Sequence, residues 1–364
     1  MTLIKAAVCN ESKTDLIIEE IKLLSPEQDE IRVSVEACAI CHSDITYIDG
    51  GWSIGYPVVL GHEVSGKVTE VGPGTKTKLD IGDQVVVSLI RTCGKCLACK
   101  RGHDVACTGK FRLHETSPLA TKTGEVITHG LNTGGFAEEV VVHISQCVPV
   151  PKDLPAAFAA LLGCGVMTGL GAVFNTAQVK SGDTTVIVGC GGVGLASVQG
   201  AKISEAEYVI AVDPLENKRD LAIELGATHA LKPSEDLHEI IQDITGGRLA
   251  DFVFVSTAAP SAISMSMQLI APMGALVLVG MPEDGIKSEF DPGLLAARNQ
   301  RILGSKMGTS KPHFDIPAMV DLWRDGKLDL ENMVSSTYPL ENINDALNEM
   351  RSGSAIRTVI CPGV

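Results

Sequence analysis

The stretch Thr184-Thr185-Val186-Ile187-Val188-Gly189-Cys190-Gly191-Gly192-Val193-Gly194 decides the fold. Its first five residues are all β-branched and uncharged, which predicts a buried strand. Gly189, Gly191 and Gly194 then satisfy G-x-G-x-x-G, and an apolar helix is expected from Val193. Asp213 closes the next expected strand, nineteen residues beyond Gly194. Glycines at these places allow a tight turn and let a pyrophosphate approach the amides of a helix N-terminus, while the acidic residue binds ribose hydroxyls. A carboxylate at Asp213 repels a 2'-phosphate and favours NAD. Lys218 and Arg219 follow closely and can tolerate that phosphate, so NADP stays as the alternative.

Outward from this turn, strand-like runs Tyr208–Val212, Asp251–Ser256, Ala275–Val279 and Arg301–Ser305 alternate with helical stretches at Asn217–Leu225 and Leu237–Ile244. Such alternation predicts an α/β fold with a doubly wound parallel sheet. The N-terminal third instead carries short β-branched runs, at 31–35, 64–71, 84–88 and 136–143, separated by turns such as Gly72-Pro73-Gly74. These predict a compact barrel-like domain. Helices around 316–324 and 343–350 and a strand at 357–361 form a tail too short to stand alone. It is expected to return to the first domain, giving boundaries of 1–165 with 306–364 and of 166–305, with a loop lobe near 91–108.

The 364 residues can fill two cores, with 45% apolar residues. A formal net charge of -14 and the lack of a Lys/Arg block argue against a nucleic-acid surface. Long uncharged segments at 154–179 and 252–283 are cut by Gly or Pro and read as buried parts of a large domain, not membrane spans. Eleven cysteines without an apolar leader point to a reducing, cytoplasmic setting.

Four of those cysteines, Cys93-x2-Cys96-x2-Cys99-x7-Cys107, match no helix or strand face. A loop of this spacing suits a tetrahedral zinc in a closed shell, a structural site; a redox C-x-x-C pair is the rival reading. Cys41, His62 and Cys164 form a scattered set with three strong ligands and one position open for a reactant. Taken singly, each is an ordinary buried residue. Cys9, Cys38, Cys147, Cys190 and Cys361 have no assigned partner, and exposure decides whether Cys190 is oxidation-sensitive.

Taken together, Gly61-His62-Glu63 with Gly66, the cysteine loop, the glycine turn and the ending Arg351-Ser352-Gly353 to Arg357-Thr358 resemble the zinc-dependent medium-chain alcohol dehydrogenases over essentially the whole chain. The resemblance implies a GroES-like catalytic domain plus a Rossmann domain, and two zinc ions per subunit. Cys41, His62 and Cys164 would hold the catalytic zinc, a ligand set carried over from alcohol dehydrogenases, with Glu63 as a transient ligand. Asp44 would orient His62, and Ser43 would accept the alcohol proton. His42 and Arg357 would contact the pyrophosphate, Lys218 would join Asp213 at the ribose, and Thr168, Val279 and Met281 would line the nicotinamide.

One position departs from the family: Thr46 stands where many relatives carry a proton-relaying histidine. Its hydroxyl can bridge to water but is no general base near neutral pH. The implied reaction is hydride transfer between a primary or secondary alcohol and NAD, giving an aldehyde or ketone. The alternative is a thiol-dependent formaldehyde dehydrogenase acting on S-hydroxymethyl glutathione or mycothiol, whose members also lack that histidine. A non-catalytic nucleotide-binding member is the reading from another class. The resemblance further implies a homo-oligomer, dimer or tetramer, with Ala275–Val279 at a sheet edge as the pairing strand, a small-molecule partner, and neither nucleic acid nor membrane.

Overall fold

The computed structural model describes residues 1–363; Val364, the end of the expected C-terminal segment, lies outside them. The chain divides into two compact units. One comprises Met1–Cys164, Lys311–Asp325 and the chain from Leu330 onward; the other comprises Gly165–Ser310 and Gly326–Asp329.

The second unit is built on six parallel strands: Thr184–Val188, Tyr208–Val212, His229–Leu231, Ala250–Val255, Ile270–Leu278 and Arg301–Gly304. Numbered along the chain, they lie side by side in the order three, two, one, four, five, six. Every residue of Thr184–Val188 is buried, because a parallel sheet with helical crossovers is covered on both faces. The direction of the order reverses beside this first strand, so its carboxyl end faces the crevice where such sheets bind ligands. The strand expected at an edge is interior: Ile270–Leu278 pairs with Ala250–Val255 on one side and Arg301–Gly304 on the other. The edge on that side of the sheet is Arg301–Gly304, whose two end residues are exposed. Residues 326–329 join this unit through Gln199, whose side chain donates to the Asp329 carbonyl at 3.0 Å and accepts from its amide at 2.7 Å.

The first unit combines a small closed barrel with a larger sheet. Strand Glu30–Ala39 lies antiparallel to Glu63–Val71, with Ala39 opposite Glu63. This register brings the segments carrying Cys41 and His62 to the same end of the sheet. The last strand, Arg357–Ile360, adds to the other edge of Glu30–Ala39, so the chain's tail completes the sheet that it began.

A half-buried ion pair ties the segment after the cysteine loop to this sheet. Glu30, 2% exposed, receives both nitrogens of the Arg112 fork, Nε at 2.8 Å from Oε1 and Nη2 in close contact with Oε2. Removing one partner of a buried pair leaves an uncompensated charge. Arg112→Ala is therefore expected to lower unfolding stability by about 3 kcal/mol, read as a shifted denaturant midpoint. A midpoint unchanged from wild type would contradict the role assigned to the pair. Among the described residues, no helix is long and apolar enough to cross a membrane.

Candidate active site

Four side chains converge in the first unit. Ligand atoms of Cys41, His62, Glu63 and Cys164 all lie within 4.8 Å of one another. Cys41 precedes the short helix His42–Ile48, and Cys164 precedes the helix Gly165–Gly171. His62, fully buried, sits just before strand Glu63–Val71.

Asp44 organises this corner. Its carboxylate is fully buried and accepts from the Cys41 amide at 3.0 Å, the Gly61 amide at 3.0 Å and, by the geometry, Nδ1–H of His62 at 3.2 Å. Three donors satisfy a charge that burial would otherwise disfavour. With Nδ1 occupied, the Nε2 lone pair of His62 turns toward the sulfurs. Ser43 Oγ lies 3.4 Å from that Nε2. Gly61 makes the turn possible: its φ is +86°, and a Cβ there would stand 2.6 Å from the Phe136 ring.

The electrostatics suit a cation. Cys41 is held well below the ordinary thiol range, first by its hydrogen bond with Cys164 and then by His62 and Arg357, against burial. Cys164 is pushed well above it, first by the same bond and then by burial. Two thiols so placed share a proton, whereas a divalent cation lets both ionise. Behind them, Glu63 is fully buried and pushed up to about 7 by burial, against the pull of Arg357. Its Oε2 is in close contact with Arg357 Nη2, while Oε1 has no hydrogen-bond partner among the described residues. A soft donor set of two sulfurs and an imidazole, with a spare carboxylate oxygen, fits zinc.

The cysteine loop closes on itself. Cys93, Cys96, Cys99 and Cys107 present their sulfurs within 4.8 Å of one another. Cys96 Sγ and Cys107 Sγ are 4.0 Å apart, near the edge of about 3.8 Å for a tetrahedron with zinc–sulfur bonds of about 2.3 Å. Backbone amides point at the sulfurs, from Cys96 to Cys93 at 3.3 Å, from Cys99 to Cys96 at 3.4 Å, and from Cys93 and Gly109 to Cys107, each at 3.3 Å. Such donors stabilise thiolate, and Cys96 is lowered to about 5, first by the Cys99 amide.

In the second unit, the glycine turn has the geometry a pyrophosphate needs. Gly189 has a φ of +93°, and a Cβ on Gly194 would stand 1.8 Å from the Gly189 carbonyl oxygen. Gly191 carries open space where a Cβ would be, and helix Gly192–Ile203 starts beside it, taking in Gly192 and Val193. Asp213 is buried at the end of Tyr208–Val212; its carboxylate accepts from the Cys190 amide at 2.7 Å and the Leu215 amide at 2.9 Å. Arg219 donates to the carbonyls of Asp213 and Pro214, both at 2.9 Å. Lys218 lies on the same helix, Glu216–Leu225.

Of the remaining expected residues, His42 is exposed at the start of its helix. Thr46 donates its hydroxyl to the His42 carbonyl at 3.0 Å. Thr168 donates to Met307 Sδ at 3.7 Å, Val279 is buried, and Met281 is 60% exposed. Arg357, expected at a pyrophosphate, is 3% exposed and paired with Glu63. Sequence reasoning missed the Glu63–Arg357 pair, because 294 residues separate its partners, and Arg91, a buried cation close to the cysteine loop.

Comparisons with known proteins agree with this geometry. Residues 27–152 match the alcohol dehydrogenase GroES-like domain, and residues 192–324 match the zinc-binding dehydrogenase family. Alcohol dehydrogenase B of Mycobacterium tuberculosis is 35% identical, covering 98% of this chain and 97% of that protein. An NDMA-dependent alcohol dehydrogenase of Amycolatopsis methanolica is 33% identical, covering 98% of each. The crystal structure of benzyl alcohol dehydrogenase from Acinetobacter calcoaceticus superimposes with a TM-score of 0.92 at 32% identity, covering 99% of both chains. With a GroES-like unit, a Rossmann unit and both cysteine sets in place, the chain belongs to the zinc-dependent medium-chain alcohol dehydrogenase family, whose members are oxidoreductases acting on small alcohols.

Proposed function

We propose that this protein uses NAD and two zinc ions, one catalytic and one structural, to interconvert a primary or secondary alcohol with its aldehyde or ketone. The observation that carries the reading is the convergence of Cys41, His62 and Cys164 with the Ser43 hydroxyl beside His62 Nε2. A zinc ion held by these three residues supplies Lewis acidity toward an alcohol or carbonyl oxygen, and NAD supplies the hydride acceptor.

The chain's own residues do the rest. Asp44 fixes the His62 tautomer and aims Nε2. Ser43 Oγ, 3.4 Å from that Nε2, would receive the alcohol proton. Thr46 has committed its hydroxyl hydrogen to the His42 carbonyl, so it can take the proton onward only by releasing that bond. Glu63 would join as a ligand through Oε1, which has no hydrogen-bond partner among the described residues, while Oε2 stays with Arg357. Cys93, Cys96, Cys99 and Cys107 would enclose the structural ion with no open position. Thiolate clusters need reducing surroundings, which supports a cytoplasmic location.

Asp213 favours NAD, since its buried carboxylate repels a 2'-phosphate. A hydrogen bond to a charged group contributes about 1.5–3 kcal/mol. Asp213→Ala is therefore expected to lower the kcat/KM preference for NAD over NADP by about 10- to 100-fold, measured with one alcohol. Arg219, already at this strand end, is the cation that would receive the phosphate. An unchanged preference would remove Asp213 from the ribose site.

The exposed edge strand Arg301–Gly304, preceded by Ile286, Phe290 and Leu294 at 46%, 50% and 45% exposure, supports pairing of two copies. Sedimentation equilibrium is expected to give a dimer or a tetramer built from it, and a monomer would oppose the reading.

The test of the reaction is an initial-rate survey of short, long and aromatic alcohols with NAD, NADP or NDMA, and of formaldehyde with and without glutathione or mycothiol. NADH formed from free alcohols is the expected result. Activity confined to the thiol adduct would favour the formaldehyde dehydrogenase, which the missing histidine at Thr46 also permits. Turnover with NDMA but no net NADH would contradict NAD as a released co-substrate.

A further inference from the structure

Arg91 is 5% exposed, yet no carboxylate among the described residues lies within ion-pair distance of it. The nearest acidic influence, Glu30, is already held by Arg112. Buried charges are normally paired, so a different task explains this one. Its Nε donates to Gln146 Oε1 at 2.7 Å and its Nη2 to the Asn132 carbonyl at 2.9 Å. Gln146, fully buried, donates to the same carbonyl at 3.1 Å.

That carbonyl belongs to a strained turn. Leu131 and Asn132 both adopt left-handed backbone, at φ +50° and +63°. Side-chain-bearing residues stay there only when their surroundings hold them. The Asn132 side chain completes the grip, donating to the Leu89 carbonyl at 3.2 Å and meeting His114 Nε2 at 3.2 Å. His129 Nε2 donates to the Thr133 carbonyl at 2.8 Å. Burial first, and then the charge on Arg91, push His114, His129 and His143 below the ordinary histidine range, which favours the uncharged ring in each.

From here the contacts run without a gap to the site. The Gly135 amide donates to the Gly61 carbonyl at 2.7 Å, and the Phe136 amide to the Leu60 carbonyl at 2.9 Å. Gly61 in turn donates to Asp44 Oδ1, the oxygen that holds His62. We propose that Arg91 is a positioning residue: through the Asn132 carbonyl it locks the loop 130–136 against Leu60-Gly61, and so fixes Asp44 and His62.

This inference rests on Cys41, His62 and Cys164 holding a metal, and cobalt tests both claims separately. The probe is the visible spectrum of the cobalt(II)-loaded full-length protein, taken as a difference against Cys164→Ala to isolate the three-ligand site. No such signal in wild type would sink the metal reading itself. Given the signal, Arg91→Met is expected to shift it and to lower kcat about 10- to 100-fold, the range for partners that orient a ligand, with the KM for NAD within about twofold. Arg91→Lys, which keeps the charge, is expected to recover part of both. Should Arg91→Met fail to fold, Gln146→Met removes the second donor to Asn132 and is expected to shift the spectrum the same way by less. A folded variant with lowered melting temperature but wild-type spectrum and kcat would reduce Arg91 to a structural residue and overturn the proposal.

Discussion

Cys164→Ala is expected to lower kcat/KM for alcohol oxidation by at least about 1000-fold, the equivalent of about 4 kcal/mol of transition-state stabilisation. Cys164 is 7% exposed, and its sulfur meets Cys41, His62 and Glu63 within 4.8 Å. Without it the set falls to one sulfur and one imidazole, with the unpaired Oε1 of Glu63 as the substitute, a hard oxygen in place of a soft thiolate. The cysteine loop is untouched by this change, so zinc content is expected to drop from two ions per chain to one while circular dichroism stays as in wild type. A variant keeping more than a tenth of the activity, with both ions bound, would place the reaction elsewhere.

Ser43→Ala carries the second large effect. A positioned proton acceptor contributes about 100- to 10000-fold, and the Ser43 hydroxyl lies 3.4 Å from His62 Nε2. The loss is expected in kcat, with the KM for NAD unchanged, if Ser43 serves the proton path as proposed and takes no part in cofactor binding. Ser43→Thr keeps a hydroxyl and is expected to stay within about tenfold of wild type. If Ser43→Ala and wild type turn over alike, water must take the proton directly.

Much of this architecture was legible in local sequence. The run Thr184–Val188, the glycine turn and Asp213 lie within thirty residues, so strand, turn, helix and strand end are specified by neighbours. The helix Leu237–Ile244 appears with the bounds its apolar pattern predicts. The four cysteines of the loop likewise fall within fifteen residues, and the structure brings all four together.

What the sequence hid depends on partners far along the chain. Strand order is the clearest case: the apolar run Ala275–Val279 carries no mark of its neighbours, and it lies inside the sheet while Arg301–Gly304 takes the edge. Burial on both faces follows from the helices above and below the sheet, not from the strand's own composition. Arg357 is expected from the sequence at a pyrophosphate and Arg91 carries no local mark of a role, yet each is buried because a distant loop or strand supplies its acceptors. Exposure decides the reactivity of Cys190, and the thiol is fully buried and pushed up to about 12 by burial, the setting of an unreactive cysteine.

The most direct measurement of the central claim is alcohol-dependent reduction of NAD by one preparation before metal removal, after it, and after zinc is returned. Expected are two zinc ions per active chain, loss of activity when the ion at Cys41, His62 and Cys164 is withdrawn, and recovery when zinc is restored. Undiminished turnover by the metal-free protein would contradict it.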